Sequence, residues 1–294
     1  MGIYRTAYML SVVIPAYNEE AAIAATVEKA QTVLGAHSSD SYEIVVVDYG
    51  SSDAAAARAE AAGARVVKHP HNTGYGRALK SGIGAASYDT IVISDADGTY
   101  PLEEVPVLVE KFNTSFDKVV GARGGKYYHG STVKRPISAI LRFLVEWTAE
   151  RQIPDINSGL CVFLRETVTP YLNHLCDKFS FTTSLTLAYM MTSRYVAYLP
   201  ISYGDRVGKT KVRLLKDALR TLQYIVQAII YYNSINIFLL MSIICLAISF
   251  VSLGIGIGFR LATGFMLDVG AFLVATLVFA MELVADLLRQ IMSK

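Results

Sequence analysis

The C-terminal quarter of the chain contains 23 consecutive residues without a charge, Ile237–Phe259. An α-helix rises about 1.5 Å per residue, so this run would extend about 34 Å and cover a hydrocarbon core of about 30 Å. A buried core helix is the alternative, but such helices rarely stay uncharged over this length. A second apolar run, Val269–Ala285, follows a short connection. The two runs predict a C-terminal transmembrane hairpin.

Charged residues refine this prediction. Glu282 lies inside the second run, and a carboxylate at the bilayer centre costs about 2.5–3.5 kcal/mol, so Glu282 should lie near an interface or face the protein. The flanks of the hairpin are basic, with Arg213, Lys216 and Arg220 before it and Arg289 and Lys294 after it. The positive-inside rule therefore places both flanks and the N-terminal domain in the cytoplasm.

The segment preceding the hairpin, 213–232, has leucine, valine and isoleucine at helical spacing and basic residues or glutamine on the opposite face. This pattern predicts an amphipathic helix at the membrane surface. An ordinary helix packed on the N-terminal domain remains the alternative.

The first two hundred residues alternate between apolar, strand-like runs and helical segments. Since each strand is followed by a helix, the pattern predicts an α/β domain with a Rossmann-like, mostly parallel sheet and helices on both faces. The predicted strands are Leu10–Ala16, Ile44–Asp48, Ala64–Lys68 and Ile91–Ser94, and the helices are Glu20–Leu34, Ala54–Ala62, Gly74–Ala86 and Leu102–Phe112. The net charge of +2 gives no indication of nucleic-acid binding, and three scattered cysteines favour neither a disulfide scaffold nor a zinc site. We expect no secretory signal, since only nine residues precede the first strand-like run and Arg5 interrupts them.

Carboxylates follow the predicted strands at the edge where open α/β sheets bind ligands. Asp48 ends the second strand, and Asp95 and Asp97 follow the fourth. Carboxylates that converge repel each other unless a positive charge lies between them, and a hard divalent cation with oxygen ligands supplies that charge. An Asp-x-Asp pair alone is more often a solvated turn. For Asp53, and for Asn18 and Glu19, the start of a helix is the competing interpretation.

Four segments occur in order along this domain: VVIPAYNEE, VVVDYGSSD, NTGYGRAL and SDADGTYP. Together they resemble the family 2 glycosyltransferases of GT-A fold. NSGL, DRVGKTK and the terminal hairpin narrow the resemblance to dolichol-phosphate mannosyltransferases and related polyprenyl-phosphate glycosyltransferases, over residues 10–290. The resemblance implies inverting transfer of a hexose to dolichyl or undecaprenyl phosphate. The donor would be GDP-mannose or a UDP-sugar.

The resemblance also implies roles for individual residues. It implies a metal site for Mg²⁺ or Mn²⁺ at Asp95, Asp97 and Thr99, and phosphate-binding and catalytic roles for Asp97, Arg206 and Lys211. The implied donor-binding residues are Pro15, Tyr17, Glu19, Asp48, Asp95 and Arg123.

The sequence departs from the family pattern at two positions. Tyr49 stands where the family often has a second Asp, and Thr99 stands where close relatives place Gln. Some donor contacts and the metal coordination are therefore expected to differ. The Gln-x-x-Arg-Trp signature of processive synthases is absent, which argues against a polymerising enzyme.

Two rival functions stay open at this point. Transfer to a hydroxyl of a membrane lipid would require a general base, for which Asp155 is the candidate. A non-catalytic, nucleotide-binding membrane subunit is the second rival. In either case the predicted organisation is a catalytic domain at 1–205, a basic loop with the interfacial helix at 206–234, and the hairpin with a short tail at 235–294. The chain would be an integral membrane protein of a bacterial or archaeal cell membrane, or of the endoplasmic reticulum, and homo-oligomer formation stays open.

Overall fold

The computed structural model describes residues 9–37, 42–124, 143, 146–147, 151–204, 214–259 and 262–292. Contacts divide the chain into two compact units, Met1–Ile225 and Val226–Lys294.

The first unit contains a mixed, mostly parallel sheet of seven strands. The order across the sheet is β3-β2-β1-β4-β6-β5-β7. The strands are β1 (Leu10–Ala16), β2 (Tyr42–Asp48), β3 (Arg65–Lys68), β4 (Thr90–Ile93), β5 (Lys118–Gly124), β6 (Cys161–Leu164) and β7 (Val196–Ser202). Only β6 runs antiparallel to its neighbours, β4 and β5. The predicted α/β class with a mostly parallel sheet is confirmed.

Helices cover both faces of this sheet, as predicted. Among the described residues up to 204, the α-helices are α1 (Ile23–His37), α2 (Ala55–Ala61), α3 (Tyr75–Ala85), α4 (Val105–Asn113), α5 (Arg165–Val168) and α6 (Phe181–Met191). Alternate residues of β1, such as Val12 and Ile14, join one buried core with α1, α2 and α4. Val13 faces the other way and lies under α3, where a Cβ on Gly82 would be 2.3 Å from its Cγ1. Alternation along the strands thus gives each face its own helices.

The second unit consists mainly of two long helices, α7 (Leu214–Phe259, which begins in the first unit) and α8 (Ala262–Met292). The predicted amphipathic segment and the first apolar run belong to one continuous helix. Segments Phe238–Phe259 and Ala262–Leu288 are long and apolar enough to cross a membrane, and little of either is buried. Small residues join the two helices: Ser252 donates to the Gly264 carbonyl at 2.8 Å. Glu282 is buried, as expected for a carboxylate that faces the protein.

A lysine is buried in the first unit. Lys118 begins β5, is 1 % exposed, and donates from Nζ to the Thr186 hydroxyl on α6 at 2.8 Å. None of the ion pairs in the described part of the chain includes it. Burial lowers the pKa of Lys118, because the charged form loses its hydration.

We therefore expect Lys118→Met to stabilise the protein at neutral pH. The lowered pKa means that the unfolded chain binds the proton more tightly, so wild-type stability rises with pH between that lowered value and the ordinary value of about 10.4. The advantage of methionine should shrink over the same range. Thermal unfolding in detergent measures this, since about 1 kcal/mol corresponds to about 2–4 °C in a protein of this size. A lower Tm for the variant at neutral pH would contradict the interpretation.

Candidate active site

Three parallel strands end at one edge of the sheet. β1 pairs with β2 so that Ala16 lies opposite Asp48, and it pairs with β4 on its other side. The segments that follow these strands therefore meet at this edge, which we call the carboxyl edge: residues 17–20, 48–53 and 94–99. The convergence of Asp48, Asp95 and Asp97 on one edge, expected from the strand pattern, follows from this pairing.

Hydrogen bonds brace the segments after β1 and β2 against each other. Asn18 adopts a positive φ of 51°, which asparagine tolerates better than most residues. The backbone N–H of Asn18 donates to the Ser51 hydroxyl at 2.9 Å, and the side-chain Oδ1 accepts the backbone N–H of Ser52 at 2.7 Å. The Asp53 carboxylate accepts N–H groups from Glu20 and Ala55, so it holds the turn together, but the N-cap residue of α2 is Ala54. The interpretation of Asp53 as the N-cap residue was therefore wrong by one position.

The predicted donor-binding residues differ in exposure. Tyr17 and Tyr49 are partly exposed and stack on each other with ring centroids 5.3 Å apart and planes at 23°. Asp48 is 7 % exposed, and its Oδ1 accepts the Ser51 N–H at 3.1 Å. Pro15 is buried within β1 opposite Val47. Tyr49, where the family often has Asp, thus forms an aromatic pair.

Glu19 is also partly exposed, and its carbonyl accepts the N–H groups of Ala22 and Ile23. Glu19 thus takes part in the start of α1, as one of the sequence interpretations required.

The two carboxylates after β4 are each held by a hydroxyl group. Asp95 Oδ1 accepts from the Tyr75 hydroxyl at 2.8 Å, and Asp97 Oδ1 accepts from the Thr99 hydroxyl at 2.6 Å and the Thr99 N–H at 3.2 Å. Burial first, and then Asp95, raise the pKa of Tyr75, so its hydroxyl remains a proton donor. Thr99, predicted as a metal ligand, uses its proton on Asp97 and is 2 % exposed.

These oxygen donors fit a hard divalent cation. Mg²⁺ is commonly bound through one or two carboxylates, with the remaining positions filled by water and substrate phosphates. Among the described residues there is no group of three or more His, Cys, Asp or Glu side chains placed to hold a metal. A cation at Asp95 and Asp97 would complete its coordination with water and substrate phosphates.

Asp155 and Arg123 form a buried ion pair near this edge. Arg123 donates from Nε and Nη2 to the two carboxylate oxygens at 2.7 and 2.9 Å, and the backbone N–H groups of Arg123 and Asn157 donate to the same carboxylate at 3.1 Å. The Asp155 side chain is 1 % exposed. Arg123, predicted to touch phosphate, also lies over the Tyr203 ring, with its guanidinium carbon 5.5 Å from the centroid.

The glycine-rich turn before α3 is filled by protein rather than open to an anion. The N–H groups of Gly76 and Arg77 donate to the carbonyls of Lys178 and Asp177 at 3.2 and 3.0 Å. A Cβ on Gly76 would lie 2.1 Å from the Cys176 carbonyl oxygen. The glycine therefore permits close approach of the segment 175–180, which sequence reasoning did not detect. The glycine pair in NTGYG was the signal that could have indicated such packing.

Further polar residues of the chain include two threonines of α6, a histidine and the two basic residues predicted to bind phosphate. The hydroxyls of Thr182 and Thr183 both donate to Asn157 Oδ1 at 3.1 Å, so both side chains are hydrogen-bonded within the protein. His69 is partly buried, and its two ring nitrogens form hydrogen bonds with the Thr73 and Ser81 hydroxyls. Arg206 and Lys211 lie outside the described residues.

The chain matches known proteins over this region. The family model for glycosyl transferase family 2 matches residues 11–169. The undecaprenyl-phosphate 4-deoxy-4-formamido-L-arabinose transferase of Edwardsiella ictaluri is 30 % identical over 224 residues, covering 74 % of this chain and 66 % of that protein. The chain thus spans just under two-thirds of that relative's length. The dolichyl-phosphate hexose transferase of Haloferax volcanii is 28 % identical over 204 residues, covering 69 % of this chain and 86 % of that protein.

A solved structure shares the fold. It is glucosyl-3-phosphoglycerate synthase from Mycobacterium tuberculosis in complex with Mn²⁺, uridine diphosphate and glucosyl-3-phosphoglycerate. It is 26 % identical with a TM-score of 0.58, and the match covers 75 % of this chain and 79 % of that chain.

Gly159 packs so closely on Asp95 that a side chain there should be destabilising. A Cβ on Gly159 would lie 2.7–2.9 Å from the carboxylate atoms of Asp95. We expect Gly159→Ala to lower the stability by about 1–3 kcal/mol, as overpacking does, measured by thermal unfolding. Gly84→Ala on α3 is the matched control, because a Cβ there meets nothing within 4 Å. Equal Tm values for the two variants would show that the Asp95–Gly159 contact is not tight.

Proposed function

Because the chain belongs to glycosyl transferase family 2, we propose that it transfers a sugar from a nucleotide-sugar donor to a polyprenyl phosphate at a membrane surface, with the help of a divalent cation. The relatives of the chain support the acceptor class, since their names specify undecaprenyl-phosphate and dolichyl-phosphate transferases.

The placement of Asp95 and Asp97 is the observation that carries this proposal. Both follow β4 at the carboxyl edge, each held by a hydroxyl donor. A bound Mg²⁺ or Mn²⁺ would neutralise negative charge that develops on the departing nucleoside diphosphate. The structural relative crystallised with Mn²⁺ and uridine diphosphate supports a cation at such a site.

The protein's own residues would bind and orient the donor. Asp48, in its buried position after β2, would accept a hydrogen bond from the base, and the stacked rings of Tyr17 and Tyr49 would contact the nucleoside. A phosphate acceptor is already anionic near neutral pH, so the reaction needs no strong protein base. The catalytic contribution is then mainly orientation and electrostatic stabilisation.

The environment of Asp155 disfavours transfer to a lipid hydroxyl. Such a reaction needs a general base within reach of the acceptor. The Asp155 carboxylate instead accepts four hydrogen bonds from Arg123 and Asn157 and is 1 % exposed. It is therefore better suited to fixing Arg123 than to removing a proton from a substrate.

Membrane attachment and orientation are part of the proposal. The two long apolar helices would span the bilayer, with the basic flanks and the domain of residues 1–205 on the cytoplasmic side. The segment 206–234 would then lie at the surface where the acceptor head group is found. The described chain reaches this edge at Gly204, whose N–H donates to the Thr99 carbonyl at 2.9 Å.

The purified full-length protein should be tested with a panel of nucleotide sugars and polyprenyl phosphates, and the lipid products identified by mass spectrometry. We expect product only with a divalent cation and a phosphorylated prenol. Asp97→Asn should lower the rate at least about a hundredfold, because loss of electrostatic stabilisation on this scale costs about 3 kcal/mol. Full activity in excess chelator would contradict the role of the metal. Transfer to the free prenol would contradict the assignment of a phosphate as the acceptor.

Asp155→Asn separates the two acceptor classes. With a phosphate acceptor we expect substantial activity to remain, because asparagine weakens the contact with Arg123 without removing a base. If the acceptor were a hydroxyl, the loss would reach about 10²–10⁴-fold. The comparison requires equal donor binding by variant and wild type, measured by calorimetry with the nucleoside diphosphate.

Arg206→Ala and Lys211→Ala should strongly reduce transfer while leaving the fold intact, because both side chains are assigned to phosphates. Arg206→Lys should restore little activity, since lysine cannot bind phosphate through two parallel donors. Rates are measured at subsaturating acceptor, with circular dichroism as the folding control. Wild-type rates for both alanine variants would show that the basic segment does not bind the substrates.

A further inference from the structure

Tyr75 links the carboxyl edge to a part of the fold that is distant in sequence. It is the first residue of α3, and its hydroxyl donates to Asp95 Oδ1 at 2.8 Å across 20 positions of the chain. Thr99, which holds Asp97, belongs to the same turn as its carboxylate. Asp95 is thus fixed by a residue from outside its own loop.

The base from which Tyr75 reaches Asp95 is tightly packed. The turn before it carries Gly74 at φ 107°, where a Cβ would lie 2.5 Å from the Asp177 carbonyl oxygen. The next two N–H groups of α3 donate to the carbonyls of Lys178 and Asp177. The Phe179 ring contacts the Tyr75 ring at 5.9 Å between centroids. Neither the backbone nor the ring of Tyr75 can shift freely.

Gly159 limits the Asp95 carboxylate further. The position of a Cβ on this residue would be 2.7 Å from Asp95 Oδ2 and 2.9 Å from Oδ1. The Gly159 N–H donates to the Tyr100 hydroxyl at 2.6 Å, which holds this backbone in place. The Asp95 carboxylate is therefore confined between the Tyr75 hydroxyl and the backbone of Gly159.

We infer that Tyr75 is a positioning residue for the divalent cation: its hydroxyl holds the Asp95 carboxylate in one orientation, so that the carboxylate meets the cation without first losing rotational freedom. This inference rests on the proposed metal site at Asp95 and Asp97. A carboxylate has about four lone-pair positions, so accepting from Tyr75 leaves others for a metal. Loss of such an outer partner of a metal ligand typically weakens metal affinity or activity about 10–100-fold.

The test compares Mn²⁺ binding by Tyr75→Phe and wild type in the full-length protein. Phenylalanine keeps the ring and removes only the hydroxyl. Tyr189→Phe is the matched control, because it removes a buried tyrosine hydroxyl bond of 2.9 Å, to Thr167, away from the site. Free Mn²⁺ is measured by electron paramagnetic resonance during titration in the presence of uridine diphosphate and, separately, guanosine diphosphate. Asp95→Asn reports whether the metal site itself is correctly placed.

We expect the Kd of Mn²⁺ to rise about tenfold or more in Tyr75→Phe and to stay unchanged in Tyr189→Phe, although both variants lose one hydrogen bond. In transfer assays, Tyr75→Phe should need more Mn²⁺ for half-maximal activity and approach the wild-type rate at saturation. A Kd for Tyr75→Phe within about twofold of wild type, while Asp95→Asn abolishes binding, would overturn the inference and leave the proposed function intact. Wild-type Mn²⁺ affinity in Asp95→Asn would overturn the metal site and the inference together.

Discussion

The pairing of β1 with parallel strands on both sides is the constraint on which the candidate site depends. It places Ala16 beside Asp48 and brings the end of β4 to the same edge. The polar residues after these strands are far apart in the chain, with Asn18 and Asp97 separated by 97 − 18 = 79 positions, yet they meet because the parallel strands end at the same edge of the sheet. Burial of alternate β1 residues under different helices fixes this register, since a slip of one position would exchange the two faces.

Carboxylates at one edge are stable only when their charges are compensated, and the structure compensates them in different ways. Asp155 has a guanidinium partner and two backbone donors. Asp95 and Asp97 accept from neutral hydroxyl groups. A neutral donor orients a carboxylate and leaves its charge in place, whereas an arginine neutralises it. The arginine pair suits Asp155 to a structural role, and the hydroxyl donors hold Asp95 and Asp97 in fixed orientations.

Much of the fold was predictable because it is local. Continuous apolar runs and the helices between them gave the parallel part of the sheet, and the uncharged run gave the long C-terminal helix. Strands β6 and β7 were missed because they pair with β4 and β5, which lie dozens of positions earlier in the chain, and a local pattern does not indicate such pairing. At the site, Asp95 and Asp97 were predicted from their place after a strand. The contacts of Tyr75 with Asp95 and of Arg123 with Asp155 were not, since each joins residues 20 or more positions apart and depends on tertiary packing.

A series of contacts joins the Asp95 carboxylate to Gly204, the last described residue before the basic segment of 206–234. Asp95 packs on Gly159, whose N–H donates to Tyr100, and the Tyr100 ring meets Tyr203 edge-on at 5.2 Å. Gly204 follows directly and is bound to the Thr99 carbonyl. These contacts are rings and backbone groups, which have few rotatable bonds and so hold their geometry at small entropic cost. Arg206, proposed to bind phosphate, thus lies two positions in sequence after a residue that is held at the carboxyl edge. Tying Tyr203 and Gly204 to the loop that carries Asp97 therefore fixes the point of the chain from which the proposed phosphate-binding segment starts.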